Sequence, residues 1–125
     1  MRQVRTDGAP AAIGPYSQAI VHGGLVYCSG QIALEPGSGA LVQGDVQTEA
    51  RLVLKNLAAV LDAAGSGLDQ AIKVTVFLKD LGDFAAVNKV YEEAFGQHRP
   101  ARACVEVARL PRDVRVEIDC VAAVT

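Results

Sequence analysis

Asp45-Val46-Gln47-Thr48-Glu49-Ala50-Arg51-Leu52-Val53-Leu54-Lys55-Asn56-Leu57-Ala58-Ala59-Val60-Leu61-Asp62-Ala63-Ala64-Gly65, followed after a short connection by Ile72-Lys73-Val74-Thr75-Val76-Phe77-Leu78-Lys79, decides the fold class. In the first stretch Val46, Ala50, Val53, Leu54, Leu57, Val60, Leu61 and Ala64 recur at steps of three and four, the period of one apolar helix face. Gln47, Glu49, Arg51, Lys55 and Asp62 fall mostly on other faces. Asp45 is placed to cap the helix and Gly65 to end it in the left-handed conformation. In the second stretch Ile72, Val74, Val76 and Leu78 alternate with Lys73, Thr75, Phe77 and Lys79. A period of two is that of a strand with one buried face.

Upstream, Gly8 to Pro15 is loop-like because Gly and Pro punctuate it. Ser17 to Val21 and Leu25 to Ser29 are apolar runs separated by Gly23-Gly24, which predicts a β-hairpin. Glu35-Pro36-Gly37-Ser38-Gly39 predicts a second turn. Downstream, Phe84, Val87, Val90, Tyr91, Ala94 and Phe95 form a second helical stripe, with Asp80 or Asp83 to open it and Gly96 to close it. Ala101 to Val107 and Val114 to Val121 are strand-like and separated by Leu110-Pro111-Arg112-Asp113. The order is hairpin, helix, strand, helix, two strands. It predicts an α+β sandwich, one domain over residues 1–125, with both helices on one face of one sheet.

The other sheet face needs its own account. In the last strand Arg115, Glu117 and Asp119 share a side; in the preceding one Arg102, Cys104 and Glu106 do. The expectation is that these two polar rows share the uncovered face with Phe77 and several valines. A half-apolar, half-charged face suits self-association.

Composition narrows the function classes. Half of the 125 residues are hydrophobic, enough for a core at this length. No apolar run reaches membrane-spanning length and the N-terminus lacks a signal-peptide core, so a cytoplasmic protein is expected. Cys28, Cys104 and Cys120 are odd in number with no CxxC pair, which fits a reducing compartment rather than a disulfide framework. His22 and His98 lie in no ligand-spaced cluster, so no metal is expected. The formal net charge is −2 with no Lys/Arg block, which weighs against a nucleic-acid surface.

Taken singly, the polar candidates are ambiguous. Arg102 suits a bidentate grip on a carboxylate, but taken alone an ordinary surface ion pair is the simpler explanation. Glu117, between apolar neighbours, could act as acid or base if half-buried, or be a solvated strand carboxylate.

Together they say more. Gly14-Pro15-Tyr16-Ser17-Gln18-Ala19 is followed by Ser29-Gly30-Gln31, Asn88-Lys89-Val90-Tyr91, Pro100-Ala101-Arg102-Ala103-Cys104-Val105, Leu110-Pro111 and Val116-Glu117-Ile118-Asp119. This ordered set resembles the Rid family (YjgF/YER057c/UK114), in particular its archetypal deaminase branch, over nearly the whole chain. The resemblance implies a chorismate-mutase-like fold and a homotrimer, with sheets lining a central barrel and clefts between neighbouring subunits. It implies hydrolysis of 2-imino acids such as 2-iminobutanoate and 2-iminopropanoate to 2-keto acids and ammonia, without cofactor or metal.

Carried onto this chain, the resemblance makes Arg102 the carboxylate grip, assisted by the backbone N–H of Cys104, whose thiol is not expected to be a nucleophile. It makes Glu117 the group that orients or activates water, and Tyr16 a cleft hydrogen-bonding group or, equally, a packing aromatic. Ser29 and Asn88 would line the cleft; otherwise Ser29 is a strand-end hydroxyl satisfied by backbone and Asn88 a helix-surface residue. Gly14, Gly30 and Pro111 are expected to fix turns. Asp119 replaces the glutamate of many members, and the Gly96–Pro100 loop is short, which bears on substrate size. Two other functions remain open at this point: a keto-acid sensor without turnover, and, more weakly, an endoribonuclease or translation inhibitor.

Overall fold

A computed structural model describes residues 1–125. The strands are β1 (Arg2–Val4), β2 (Ala19–His22), β3 (Leu25–Gln31), β4 (Ala71–Leu78), β5 (Ala101–Glu106) and β6 (Val116–Ala123). The helices are α1 (Val46–Ala63) and α2 (Phe84–Phe95). The strands make one mixed sheet in the order β1-β2-β3-β6-β4-β5. Only β4 and β5 run parallel, and α2 is the crossover that such a pair requires. The architecture is the α+β sandwich expected, with the chorismate-mutase-like fold.

Gly23 and Gly24 turn the β2–β3 hairpin at φ of 61° and 79°, a left-handed pair that side chains resist. Asp45 caps α1, its Oδ1 accepting from the Thr48 amide at 2.8 Å. Gly65, at φ 83°, follows the helix end. At α2 the expectation is only half met. Asp80 caps a preceding 3-10 turn at Gly82, and Asp83 makes no side-chain cap.

The apolar faces of α1 and α2 meet the sheet in one core that includes Leu57, Leu61, Leu78, Val74, Val116 and Ile118, all but sealed from solvent. Glu49 belongs to this buried face, against the expectation of an exposed one. Its Oε2 accepts from Arg115 Nε at 2.7 Å and its Oε1 from the Arg115 amide at 3.1 Å. A buried carboxylate is tolerated because both oxygens are paired, and the pair pins the start of β6 to α1.

Three expectations are corrected. Arg2–Val4 is an edge strand pairing β2, a segment too short to show a period. Ile72 leaves the alternation because β4 slips register against β6 between Ala71 and Lys73, so Ala71 is buried and Ile72 is 45% exposed. The third correction governs the site. Arg102, Cys104 and Glu106 pair in register with Val74, Val76 and Leu78, the core-facing row of β4. Glu117 and Asp119 pair with Phe77 and Thr75, the opposite row. The two polar rows therefore lie on opposite sides of the sheet. The uncovered side carries Glu117 and Asp119 among Ile20, Tyr27, Phe77, Val105 and Val121.

Candidate active site

Two groups of side chains stand out, and the sheet separates them. The first surrounds Glu117. The β3 strand bulges against β6 between Cys28 and Gln31, so Ser29 and Gly30 leave the regular ladder. Gly30 lies against the Glu117 side chain so closely that a Cβ there would fall 2.0 Å from Oε2. Only glycine leaves the carboxylate that space. Burial first, and then repulsion from Asp119, push the Glu117 pKa above the ordinary carboxylate range. Asp119 is itself pushed up by burial, against a Thr75 hydrogen bond and the Lys73 charge, which favour its ionised form.

Tyr16 and Ser29 line the same cleft of about 500 Å³, together with Ile13, Ile32, Pro111 and Arg112. Tyr16 is half-exposed, with its ring edge close to Gly14 in the Gly-Pro turn. Ser29 Oγ donates to the Ser17 carbonyl at 2.6 Å, so its proton is committed to backbone and only its lone pairs face a ligand. Gln18 is 4% exposed and holds the N-terminal loop that forms one wall: its Nε2 donates to the Thr6 and Pro10 carbonyls and its Oε1 accepts from the Thr6 amide.

The second group lies at the β5 edge. Arg102 Nη1 donates to Asn88 Oδ1 at 2.7 Å. The guanidinium carbon sits 4.8 Å from the Tyr91 ring centroid and 5.5 Å from that of Phe84. Phe84, Asn88 and Tyr91 are spaced four and three apart on α2 and so share a face. The two side-chain ion pairs of the chain are Arg109–Asp113 and Arg115–Glu49. Arg102 has no carboxylate partner within the chain. Cys104 is half-buried, and burial pushes its thiol pKa up, which disfavours the nucleophilic thiolate. The Val107 amide bonds back to Leu78 of β4. By strand alternation the Cys104 amide points the other way, out of the sheet edge.

The expectation of one cleft for all six residues is not met within a single chain: Tyr16, Ser29 and Glu117 share one cleft, and Arg102, Asn88 and Cys104 lie on the other side of the sheet. Sequence reasoning missed the aromatic bed of Phe84 and Tyr91. The spacing was visible, but these rings read as core. It also missed Arg112, which reaches the Glu117 cleft from a turn where both Arg112 and Asp113 have positive φ. No sequence pattern signals that conformation in a non-glycine pair.

The chain is an α+β sandwich of the chorismate-mutase-like type, with a half-buried carboxylate beside a glycine on one side of the sheet and an arginine without a carboxylate partner at the sheet edge. Residues 6–124 match the family described as Endoribonuclease L-PSP. A RutC family protein of Pyrococcus horikoshii is 52% identical over 94% of this chain and 93% of its own. The 2-iminobutanoate/2-iminopropanoate deaminase of Salmonella typhimurium is 49% identical over 97% and 96%. The structure of Escherichia coli TdcF with bound serine superposes with a TM-score of 0.94 at 45% identity, covering both chains completely. The chain belongs to this family, which is the Rid (YjgF) family that its motifs resemble.

Proposed function

We propose that the chain hydrolyses 2-imino acids, and the enamines in equilibrium with them, to 2-keto acids and ammonia. The cleft would be shared by two copies of a homotrimer: Arg102 and the Cys104 amide come from one, and Glu117, Tyr16 and Ser29 from its neighbour. The observation that carries this reading is the Arg102 fork, held by Asn88 and two rings with no carboxylate of its own. A planar 2-imino acid offers such a fork a planar carboxylate, and an outward strand-edge amide offers it a further donor. Two copies are needed because Arg102 and Glu117 lie on opposite sides of one sheet. The part-apolar uncovered face supports self-association.

The chemistry follows from the groups available. Water adds to C2 of the protonated imine, the iminium, while Glu117 accepts a proton from the water; the C=N π pair moves to nitrogen, giving a neutral carbinolamine. Glu117 then returns that proton to nitrogen, the C–N bond breaks to release ammonia, and the hydroxyl proton passes back to Glu117 as C=O forms, to be shed to solvent. A carboxylate with a raised pKa suits these transfers, since its two protonation states lie closer in energy near neutral pH. Tyr16 and the Ser29 lone pairs can hold the water. Neither a metal nor a cofactor takes part in this scheme.

A sensor without turnover would use the same residues, and the serine bound in the TdcF relative favours ligand binding as such. An endoribonuclease finds less support, since the formal net charge is −2. The test is decay of 2-iminobutanoate generated in situ by a threonine dehydratase. Acceleration by wild type and none by Arg102→Ala supports the deaminase. No acceleration, with 2-ketobutyrate still bound, supports the sensor.

A further inference from the structure

Arg102 is long, exposed and at a strand edge, so a free guanidinium there would sample many rotamers. The structure assigns Tyr91 as its positioning residue, with Phe84 as an auxiliary: the aromatic bed fixes the plane of the Arg102 fork so that its in-plane N–H groups meet a ligand carboxylate. This inference rests on Arg102 being the carboxylate grip.

The geometry is specific. The guanidinium carbon lies 4.8 Å from the Tyr91 centroid, within the range where the ring quadrupole attracts a cation. A guanidinium lying over a ring face spends none of its five N–H groups on that contact, whereas a salt bridge would spend two and neutralise the charge. Asn88 takes one N–H at 2.7 Å and so sets the rotation within the plane. The bed is itself rigid. Tyr91 is 9% exposed and stacks on Phe95, with centroids 4.3 Å apart. The Tyr91 hydroxyl is buried and hydrogen-bonds to no protein group. The ring face, not the hydroxyl, is therefore what this position supplies to Arg102, and phenylalanine should serve as well.

The test is the dissociation constant of 2-ketobutyrate, followed by chemical-shift titration, in a double-mutant cycle of Tyr91→Leu and Arg102→Ala. Tyr91→Leu is expected to weaken binding about tenfold with Arg102 present, and not at all without it. Tyr91→Phe is expected to bind within about twofold of wild type. In imine turnover Tyr91→Leu should raise KM more than it lowers kcat. Equal losses from Tyr91→Leu in both Arg102 backgrounds would overturn the inference, because a merely structural role is blind to Arg102. So would unchanged affinity in Tyr91→Leu alone. If Tyr91→Leu does not fold, Phe84→Leu on the more exposed ring answers the same question, with a smaller but still Arg102-dependent loss expected. Failure of Arg102→Ala itself to weaken binding would overturn the carboxylate grip and this inference together; a loss there but none in the Tyr91 variant overturns this inference alone.

Discussion

At the scale of single residues, the site depends on how much room and charge each group is given. Gly30→Ala would place a Cβ 2.0 Å from Glu117 Oε2. The carboxylate is the free end of a flexible side chain, so it should swing aside. The expected outcome is a kcat loss of about tenfold or more with a near-normal melting temperature, since misplacing a catalytic group costs at least this much. Glu117 also carries a stability signature. Its folded pKa is raised, so its contribution is complete below the unfolded pKa and is lost as pH rises through the folded one. Glu117→Gln removes that loss. It should raise the melting temperature at about pH 7.5 and by less at about pH 4, as calorimetry can check. Removing the neighbouring charge with Asp119→Asn relieves a repulsion that raises Glu117, so the acid limb of the rate profile should shift to lower pH. These residue types were legible in sequence, and so were burial and Asp119 as reasons for a raised Glu117 pKa. The close approach of Gly30 to Glu117 was not, because a bulge leaves no mark on periodicity.

At the scale of elements, most of the fold was readable because period and punctuation agreed. Asp45 and Gly65 bound α1, and Gly23-Gly24 sits at the hairpin with the conformation its sequence implies. Gly24→Val should cost about 1–2 kcal/mol in chemical denaturation, the strain of a left-handed β-branched residue, without altering ligand affinity. The failure that bears on the site has one cause. Strand alternation states which residues share a side, not which side that is. Arg102, Cys104 and Glu106 form a polar row, yet β4 register turns that row toward α2. At a sheet edge a core-facing row can still be wet, so polarity misled. Glu49 misled in the opposite sense, a charged residue buried because Arg115 on another element answers it.

At the scale of the whole molecule, one chain holds Arg102 and Glu117 too far apart to meet on one small ligand. They lie two strands apart and on opposite sides of the sheet. A closed ring of identical copies, each presenting its β5 edge to the Glu117 cleft of the next, would join them through a heterologous interface. Sedimentation is expected to show a trimer. The most direct test of a shared cleft combines two inactive variants. Arg102→Ala and Glu117→Ala chains are unfolded, mixed in equal amounts and refolded together, and 2-iminobutanoate hydrolysis is measured. Random assembly puts an intact Arg102 opposite an intact Glu117 in about a quarter of the clefts, so about a quarter of wild-type activity is expected. Mixed oligomers with no recovered activity would contradict a site built from two copies.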